Sequence, residues 1–163
     1  MLAEQIRKFF SFNTWAWERV FASVNQLEED VYHAQRHLFE KTIHATLVHC
    51  FAAEYIWLER CQGRSPESLF GPHEFADAIA LQERRAEIAD GWQTFLAELE
   101  DDDFGRDVAY RNTRGDQFVV PLKDICQHVV NHATEHRSQI TPILFFEGVP
   151  TKHLDYMYFC LGD

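Results

Sequence analysis

The sequence predicts an all-α protein, a four-helix bundle with a short β-hairpin before its last helix. Four long segments carry apolar residues at intervals of three and four, which is the period of an amphipathic helix. Only residues 106–120 alternate between apolar and polar residues, the period of a strand. The 163 residues are enough for one domain with a substantial core, so we predict a single domain over residues 1–163.

The first two predicted helices cover residues 2 to about 26 and 41 to about 62, separated by a polar connection over residues 27–40. Gly63 and Pro66 follow the second helix, and this order is typical of a helix C-terminus. A third helical segment covers residues 73 to about 99. The acidic run at residues 98–103 then breaks its pattern, and we interpret this run as solvated surface.

The predicted hairpin and the fourth helix complete the chain. Residues 112–116 supply turn residues between two alternating stretches. Pro121 suits the first position of a helix, which we expect to end near Gly148. Pro142 should kink this helix or end its regular part near Thr141. The aromatic tail, residues 153–159, is expected to pack across one end of the bundle or at a subunit contact.

Charge and composition exclude several classes of function. The net charge of −11 argues against nucleic acid as a partner, because phosphate binding needs clustered Lys and Arg. The sequence has no run of 18 apolar residues and no visible secretion signal, so no membrane association is expected. The four cysteines lack C-x-x-C spacing, which favours free thiols in a reducing cytoplasm.

Three histidines recur every four residues in the fourth predicted helix: His128, His132 and His136. This spacing places them along one stripe of the helix, and His132 and His136 occupy positions where the apolar pattern calls for Leu or Ile. Two imidazoles one turn apart can bind one metal ion. The alternative is a pair of core histidines bonded to carbonyls. His128 lies beside the apolar face, where a role next to the site or at the surface is favoured over that of a ligand.

The second predicted helix carries two further candidates. His49 is flanked at helical spacing by small residues, which leave room for an ion and its waters. For His49 taken alone, a core or surface histidine remains an equal alternative. Glu54 falls in an apolar row, and a carboxylate there needs a partner or a role. His44 is interpreted as peripheral.

These motifs resemble the DinB/YfiT-like superfamily of bacterial metalloenzymes, and the DinB branch most of all. The resemblance covers nearly the whole chain, and its most specific part lies in the fourth predicted helix. The family pattern there usually reads N-H-x-x-H-H-R-G-Q. This chain keeps Asn131, His132, His136, Arg137 and Gln139, whereas Glu135 replaces the middle His and Ser138 replaces the Gly. Further matching segments are Asn13–Trp17, Thr46–Leu58, Tyr110–Gly115 and Asp155–Tyr156.

The resemblance implies that His49, His132 and His136 together bind one divalent ion, most often nickel or zinc. It also implies an up-down-down-up bundle and a homodimer. Three neutral imidazoles leave coordination positions open for water and substrate, as in catalytic sites. Glu54, His128 and Arg137 are candidates for contacts to the ligands, and a structural ion pair is the alternative role for Glu54 with Arg137.

The function implied is that of a metal-dependent enzyme acting on a small molecule, of the thiol-dependent transferase or the hydrolase class. A low-molecular-weight thiol is a possible cosubstrate, and no catalytic residue is assigned. The alternative is a non-catalytic metal-binding stress-response protein that acts through a partner.

Overall fold

The architecture is that of a mostly helical bundle, seen in a computed structural model that describes residues 1–162. The hairpin precedes the last long helix, so the predicted fold class is confirmed. The helices are α1 (Leu2–Val24), α2 (Glu29–Tyr32), α3 (Ile43–Cys61), α4 (Ala78–Ala97), α5 (Leu122–Phe146) and α6 (Tyr156–Leu161). The antiparallel strands are β1 (Asp107–Arg111) and β2 (Gln117–Pro121), and 3-10 turns cover Pro72–Glu74 and Asp101–Gly105.

Helices α1 and α4 run antiparallel. Arg7, near the start of α1, donates a hydrogen bond to the carbonyl of Leu96, near the end of α4. Arg85, in the first half of α4, donates to the hydroxyl of Thr14, farther along α1. The positions along the two helices therefore increase in opposite directions.

Helices α3 and α5 also run antiparallel, because the ring of His49 contacts His136 whereas Trp57 contacts the earlier His128. Helix α3 runs parallel to α4, because Arg84 lies over the ring of Tyr55 whereas the later Gly91 approaches the later Leu58. Within that pair Gly91 permits close approach, since a Cβ there would lie 2.7 Å from a methyl carbon of Leu58. The directions of α1, α3, α4 and α5 are thus up, down, down and up, as the resemblance implied.

The core forms where the apolar stripes of the four long helices meet. Its largest fully buried side chains include Trp17, Phe21, Phe51, Trp92 and Phe104. The rings of Trp17 and Phe51 meet edge to face with centroids 4.9 Å apart, and this joins α1 to α3. The backbone of both helices near the site is therefore fixed by large buried rings.

Two predicted helix starts were wrong by a few residues. Helix α4 begins at Ala78 rather than at residue 73, because the Asp77 side chain accepts a hydrogen bond from the backbone N–H of Ala80 at 2.8 Å and caps the helix there. Pro121 is the last residue of β2 and not the first of the helix. Helix α5 begins one residue later, at Leu122.

Three other predictions about local structure need correction. Helix α5 continues through Pro142 to Phe146, so its regular part does not end near Thr141, and a kink at Pro142 stays a prediction; a proline removes a single hydrogen-bond donor from the ladder and packing maintains the rest. The connection over residues 27–40 contains the short helix α2. The acidic run is not only solvated surface, since Asp101 accepts a hydrogen bond from the Met1 ammonium at 2.7 Å, and this contact lowers the pKa of the Asp101 carboxyl to about 2.

His44, predicted to be peripheral, is instead buried. Its Nδ1 lies 3.0 Å from the Tyr32 hydroxyl and its Nε2 lies 2.9 Å from the Pro72 carbonyl oxygen. Both ring nitrogens are therefore used by a neutral imidazole that joins α3 to the loops around it. Burial lowers the pKa of His44.

The aromatic tail packs on the bundle through α6, against the middle of α1 and not across one end of the bundle. Tyr156 and Phe159 meet the ring of Phe12 on α1 with centroids 5.2 and 5.8 Å apart. All four cysteines are free, and Cys160 alone among them is exposed. Within residues 1–162, none of the helices combines the length and apolarity needed to cross a bilayer.

Candidate metal centre

Three imidazoles from two facing helices meet at one point of the bundle. Helix α5 presents His132 and His136 on adjacent turns, and their Nε2 atoms lie 3.1 Å apart. Helix α3 brings the ring of His49 to within 5.3 Å of the His132 ring and 4.9 Å of the His136 ring, measured between centroids. One nitrogen from each ring lies within 4.8 Å of the other two. The sequence-predicted ligands are therefore together.

The spacing of these nitrogens fits one divalent ion. Ligand nitrogens about 2.0–2.1 Å from an ion, at tetrahedral or octahedral angles, lie about 2.8–3.4 Å from each other. The His132 and His136 Nε2 atoms meet this requirement at 3.1 Å. All three nitrogens lie within 4.8 Å of one another, so the His49 nitrogen is near enough to serve as the third ligand after its ring adjusts to a bound ion.

Burial and the proximity of other imidazoles favour the neutral forms of His132 and His136. Desolvation is the main cause that lowers the pKa of His132 to about 4, and positive charge on His136, His49 or His128 would lower it further. Desolvation also lowers the pKa of His136, against the opposing effect of the hydrogen bond that His136 Nδ1 donates to Gln139 Oε1. A neutral imidazole has a free lone pair, so both side chains are in the state that binds metal at neutral pH.

Two neighbouring oxygens orient the rings. Glu40 Oε1 lies 3.2 Å from His49 Nδ1, and Gln139 Oε1 lies 3.0 Å from His136 Nδ1. The Gln139 oxygen fixes the tautomer of His136 with the proton on Nδ1 and directs its Nε2 lone pair to the other side of the ring, whereas the Glu40 contact is an ion-pair distance. Neither residue was among the sequence-predicted site residues. Gln139 lies three residues after His136, so helical spacing could have found it, whereas Glu40 lies in a non-periodic connection that gives no such signal.

His128 lies at the edge of this centre. Its ring contacts His132 with centroids 5.5 Å apart and rests edge to face on Trp57 at 5.3 Å. Among residues 1–162, the group of histidines close enough to share one metal ion is His49, His132 and His136, and His128 is not part of it. The His128 side chain is thus next to a proposed ligand and on the surface side of the histidine stripe, which agrees with the role inferred from the sequence.

Glu54 and Arg137 lie in a buried network centred on Asn13. The Asn13 amide donates to Glu54 Oε1 at 2.9 Å, and the indole N–H of Trp17 donates to the same oxygen at 3.3 Å. Arg137 donates to the Asn13 amide oxygen and, at 2.8 Å, to the hydroxyl of Thr134. Burial lowers the pKa of Arg137 to about 10, so the guanidinium stays charged at neutral pH. The sequence had suggested a pair of these two charges, and Asn13 is the residue that joins them.

The chain was compared with known proteins. The family model described as "DinB family" matches residues 1–160. Protein DinB of Bacillus subtilis (strain 168) is 23% identical over 165 aligned residues, which cover 91% of this chain and 90% of that protein. Both similarities extend over the four long helices and the hairpin.

Proposed function

The chain belongs to the DinB family, and from this premise we propose that His49, His132 and His136 bind one divalent metal ion in a metal-dependent enzyme. The observation that carries the proposal is the separation of 3.1 Å between two imidazole nitrogens, with the third imidazole beside them. Neutral histidines rarely turn lone pairs toward one another in a protein interior unless a proton or a cation lies between them.

The exposure of the centre favours catalysis over storage. His49 is 35% exposed at its side chain, and His132 is half-buried, so a small molecule has access to the ligands. Three protein ligands leave at least one coordination position for water or substrate. A bound divalent ion lowers the pKa of a coordinated water or thiol and polarises a carbonyl group. We therefore assign the protein to the thiol-dependent transferase or hydrolase class, with a low-molecular-weight thiol as candidate cosubstrate.

The chain's own residues hold the ligands and shape the approach to them. Glu40 and Gln139 orient His49 and His136 through their Nδ1 atoms. His128 and Trp57 form the wall next to His132, where an aromatic or apolar part of a substrate would pack. Nickel and zinc are the metals proposed, since both accept imidazole ligands.

The remaining proposals concern partners and location. The net charge of −11 favours a small-molecule substrate over nucleic acid. We propose a homodimer because Phe145 and Phe146 at the end of α5 are 66% and 84% exposed, as expected for side chains that a second subunit covers. A cytoplasmic location is proposed from the four free cysteines.

The alternative function is that of a metal-binding stress-response protein without turnover, in which the protein fills every coordination position. Replacing the metal by cobalt(II) separates the two, because the absorption spectrum of cobalt reports its ligands. Addition of a low-molecular-weight thiol should produce a sulfur-to-cobalt charge-transfer band if a position is open. A spectrum that no added thiol, azide or cyanide changes would favour the non-catalytic alternative, and an activity screen of thiol-transfer and hydrolysis substrates would then be expected to fail.

A further inference from the structure

A second cavity lies between α1 and α4, formed by residues other than the three histidines. Its volume is about 450 Å³, within the range of about 300–1,000 Å³ typical of small-molecule sites. Its lining includes three residues that are 2–5% exposed: Asn13, Glu54 and Arg85. A cavity with buried charged groups in its wall differs from an ordinary packing defect, which is apolar.

The buried charge around this cavity is unbalanced. Glu54 contributes one negative charge, whereas Arg85 and Arg137 contribute two positive charges, and all three side chains are buried. Arg137 is joined to Glu54 through Asn13, so the single buried carboxylate is already hydrogen-bonded within that network. One positive charge therefore remains without a buried counterpart, and burying a charge without a partner is costly.

Arg85 is the side chain on which this excess charge is least satisfied. One of its terminal nitrogens donates to Thr14 Oγ1 at 3.2 Å, and its Nε has no hydrogen-bond partner among residues 1–162. None of the ion pairs found within those residues involves Arg85. A guanidinium offers five donors in a planar fork that matches the two oxygens of a carboxylate. The group is thus short of an acceptor at the wall of a cavity.

The other lining residues indicate the shape, the apolar or aromatic character and the charge of the ligand. Phe10, Trp15 and Trp92 line the cavity with aromatic surface, and Phe10 packs against Trp92 with centroids 4.7 Å apart. Glu18 and Asp90 are exposed lining residues, and their carboxylates repel a ligand of high negative charge. These features favour a monoanion with an apolar or aromatic body over a phosphate.

We propose that the cavity between α1 and α4 binds a small aromatic or apolar monocarboxylate, with its carboxylate on Arg85 and its body between Phe10, Trp15 and Trp92. This site is separate from the metal centre, because none of the three clustered histidines lines the cavity. Its occupancy does not depend on a bound metal. The proposal therefore stands or fails independently of the enzymatic function.

The test uses the full chain and three probes of similar shape: phenylacetate, its neutral amide phenylacetamide, and the cation phenethylamine. Binding is measured by isothermal titration calorimetry. Phenylacetate should bind saturably with one site per chain, and the amide should bind at least about 10-fold more weakly, because it lacks the charge that Arg85 recognises. Equal affinity for the amide, tighter binding of the cation, or no saturable binding of phenylacetate would each overturn the proposal.

Four variants, two of them controls, test where phenylacetate binds. Arg85→Gln should weaken phenylacetate binding at least about 10-fold, and Arg114→Gln, which removes the same charge from an exposed turn, should leave it unchanged. If Arg85→Gln fails to fold, Ala89→Phe tests the same cavity with every charge retained, since Ala89 lines it and a larger side chain would fill it. Unchanged binding in Arg85→Gln or in Ala89→Phe would place the ligand elsewhere and contradict the proposal. His132→Ala should bind phenylacetate as the parent does.

Discussion

Replacement of Asn13 by Leu should destabilise the protein strongly, although Asn13 is not one of the three proposed metal ligands. The Asn13 amide donates to Glu54 and accepts from Arg137, so one side chain satisfies a buried carboxylate and a buried guanidinium. Leu has the same branched skeleton of four side-chain heavy atoms as Asn, is somewhat larger, and therefore leaves no cavity. The loss is therefore that of two hydrogen bonds to charged groups and not that of packing.

The magnitude follows from these two contacts. A hydrogen bond to a charged group contributes about 1.5–3 kcal/mol, and the charged partner left behind remains buried. Both Glu54 and Arg137 are 2–3% exposed, so water cannot replace the lost contacts without opening the bundle. Allowing for the apolar gain from Leu, we expect the free energy of unfolding to fall by about 3–5 kcal/mol. In a domain of this size such a loss lowers Tm by about 6–20 °C.

The assay is urea and thermal unfolding of metal-free protein, followed by circular dichroism. The matched control is Asn131→Leu on α5, because Asn131 is exposed and should change the free energy of unfolding by no more than about 0.5 kcal/mol. A loss smaller than about 1 kcal/mol in Asn13→Leu would refute the reasoning. It would mean that Glu54 and Arg137 satisfy each other directly once Asn13 is removed.

Three further predictions concern the imidazoles. Glu40→Gln should weaken metal binding about 10–100-fold in a competition with a chromogenic chelator, because the carboxylate orients His49 through Nδ1. His128→Ala should change metal affinity little in the same assay, since this ring only contacts a ligand. The metal-free protein should lose stability as the pH falls from about 6.5 to about 4. The folded-state pKa values of His44, His132 and His136 lie below the unfolded value, so the unfolded chain binds more protons in that interval.

The outcomes that would contradict these predictions differ. Unchanged affinity in Glu40→Gln would mean that the contact with His49 at 3.2 Å does not orient the ring. Complete loss of metal in His128→Ala would make His128 a ligand. Glu4→Gln is the control for Glu40→Gln, because it makes the same change in net charge at an exposed residue of α1. For the pH series, a free energy of unfolding that rises between pH 6.5 and 4 would contradict the lowered pKa values, because such values can only remove stability on acidification.

Much of the metal centre was predictable because helical periodicity is a strong constraint. His132 and His136 follow each other at four residues within an apolar pattern, and this alone places both rings on one buried face. The hairpin was equally visible, because its alternation contrasts with the helices around it. The pairing of His49 with these two rings required knowledge of which helices face each other, and the resemblance to a known family supplied it.

The rest of the site could not be predicted because it depends on contacts that no periodicity encodes. Glu40 lies in a connection, and only the path of the chain between α2 and α3 brings it to His49. Asn13 appeared as an interruption of an apolar stripe, and nothing local indicated that it joins Glu54 to Arg137. His44 was taken as peripheral because it is not at helical spacing from His49, and its partner Tyr32 comes from a segment whose lack of a regular pattern gave no sign of the contact.

The central claim, that three histidines form one metal site, is tested most directly by metal content. Elemental analysis of protein purified without an affinity tag or added metal, beside the His49→Ala, His132→Ala and His136→Ala variants, compares the ligands one at a time. We expect about one divalent ion per chain in the parent and a large loss in each variant, with circular dichroism showing that the bundle remains folded. Stoichiometric metal in all three variants, or none in the parent after incubation with nickel or zinc, would contradict the account.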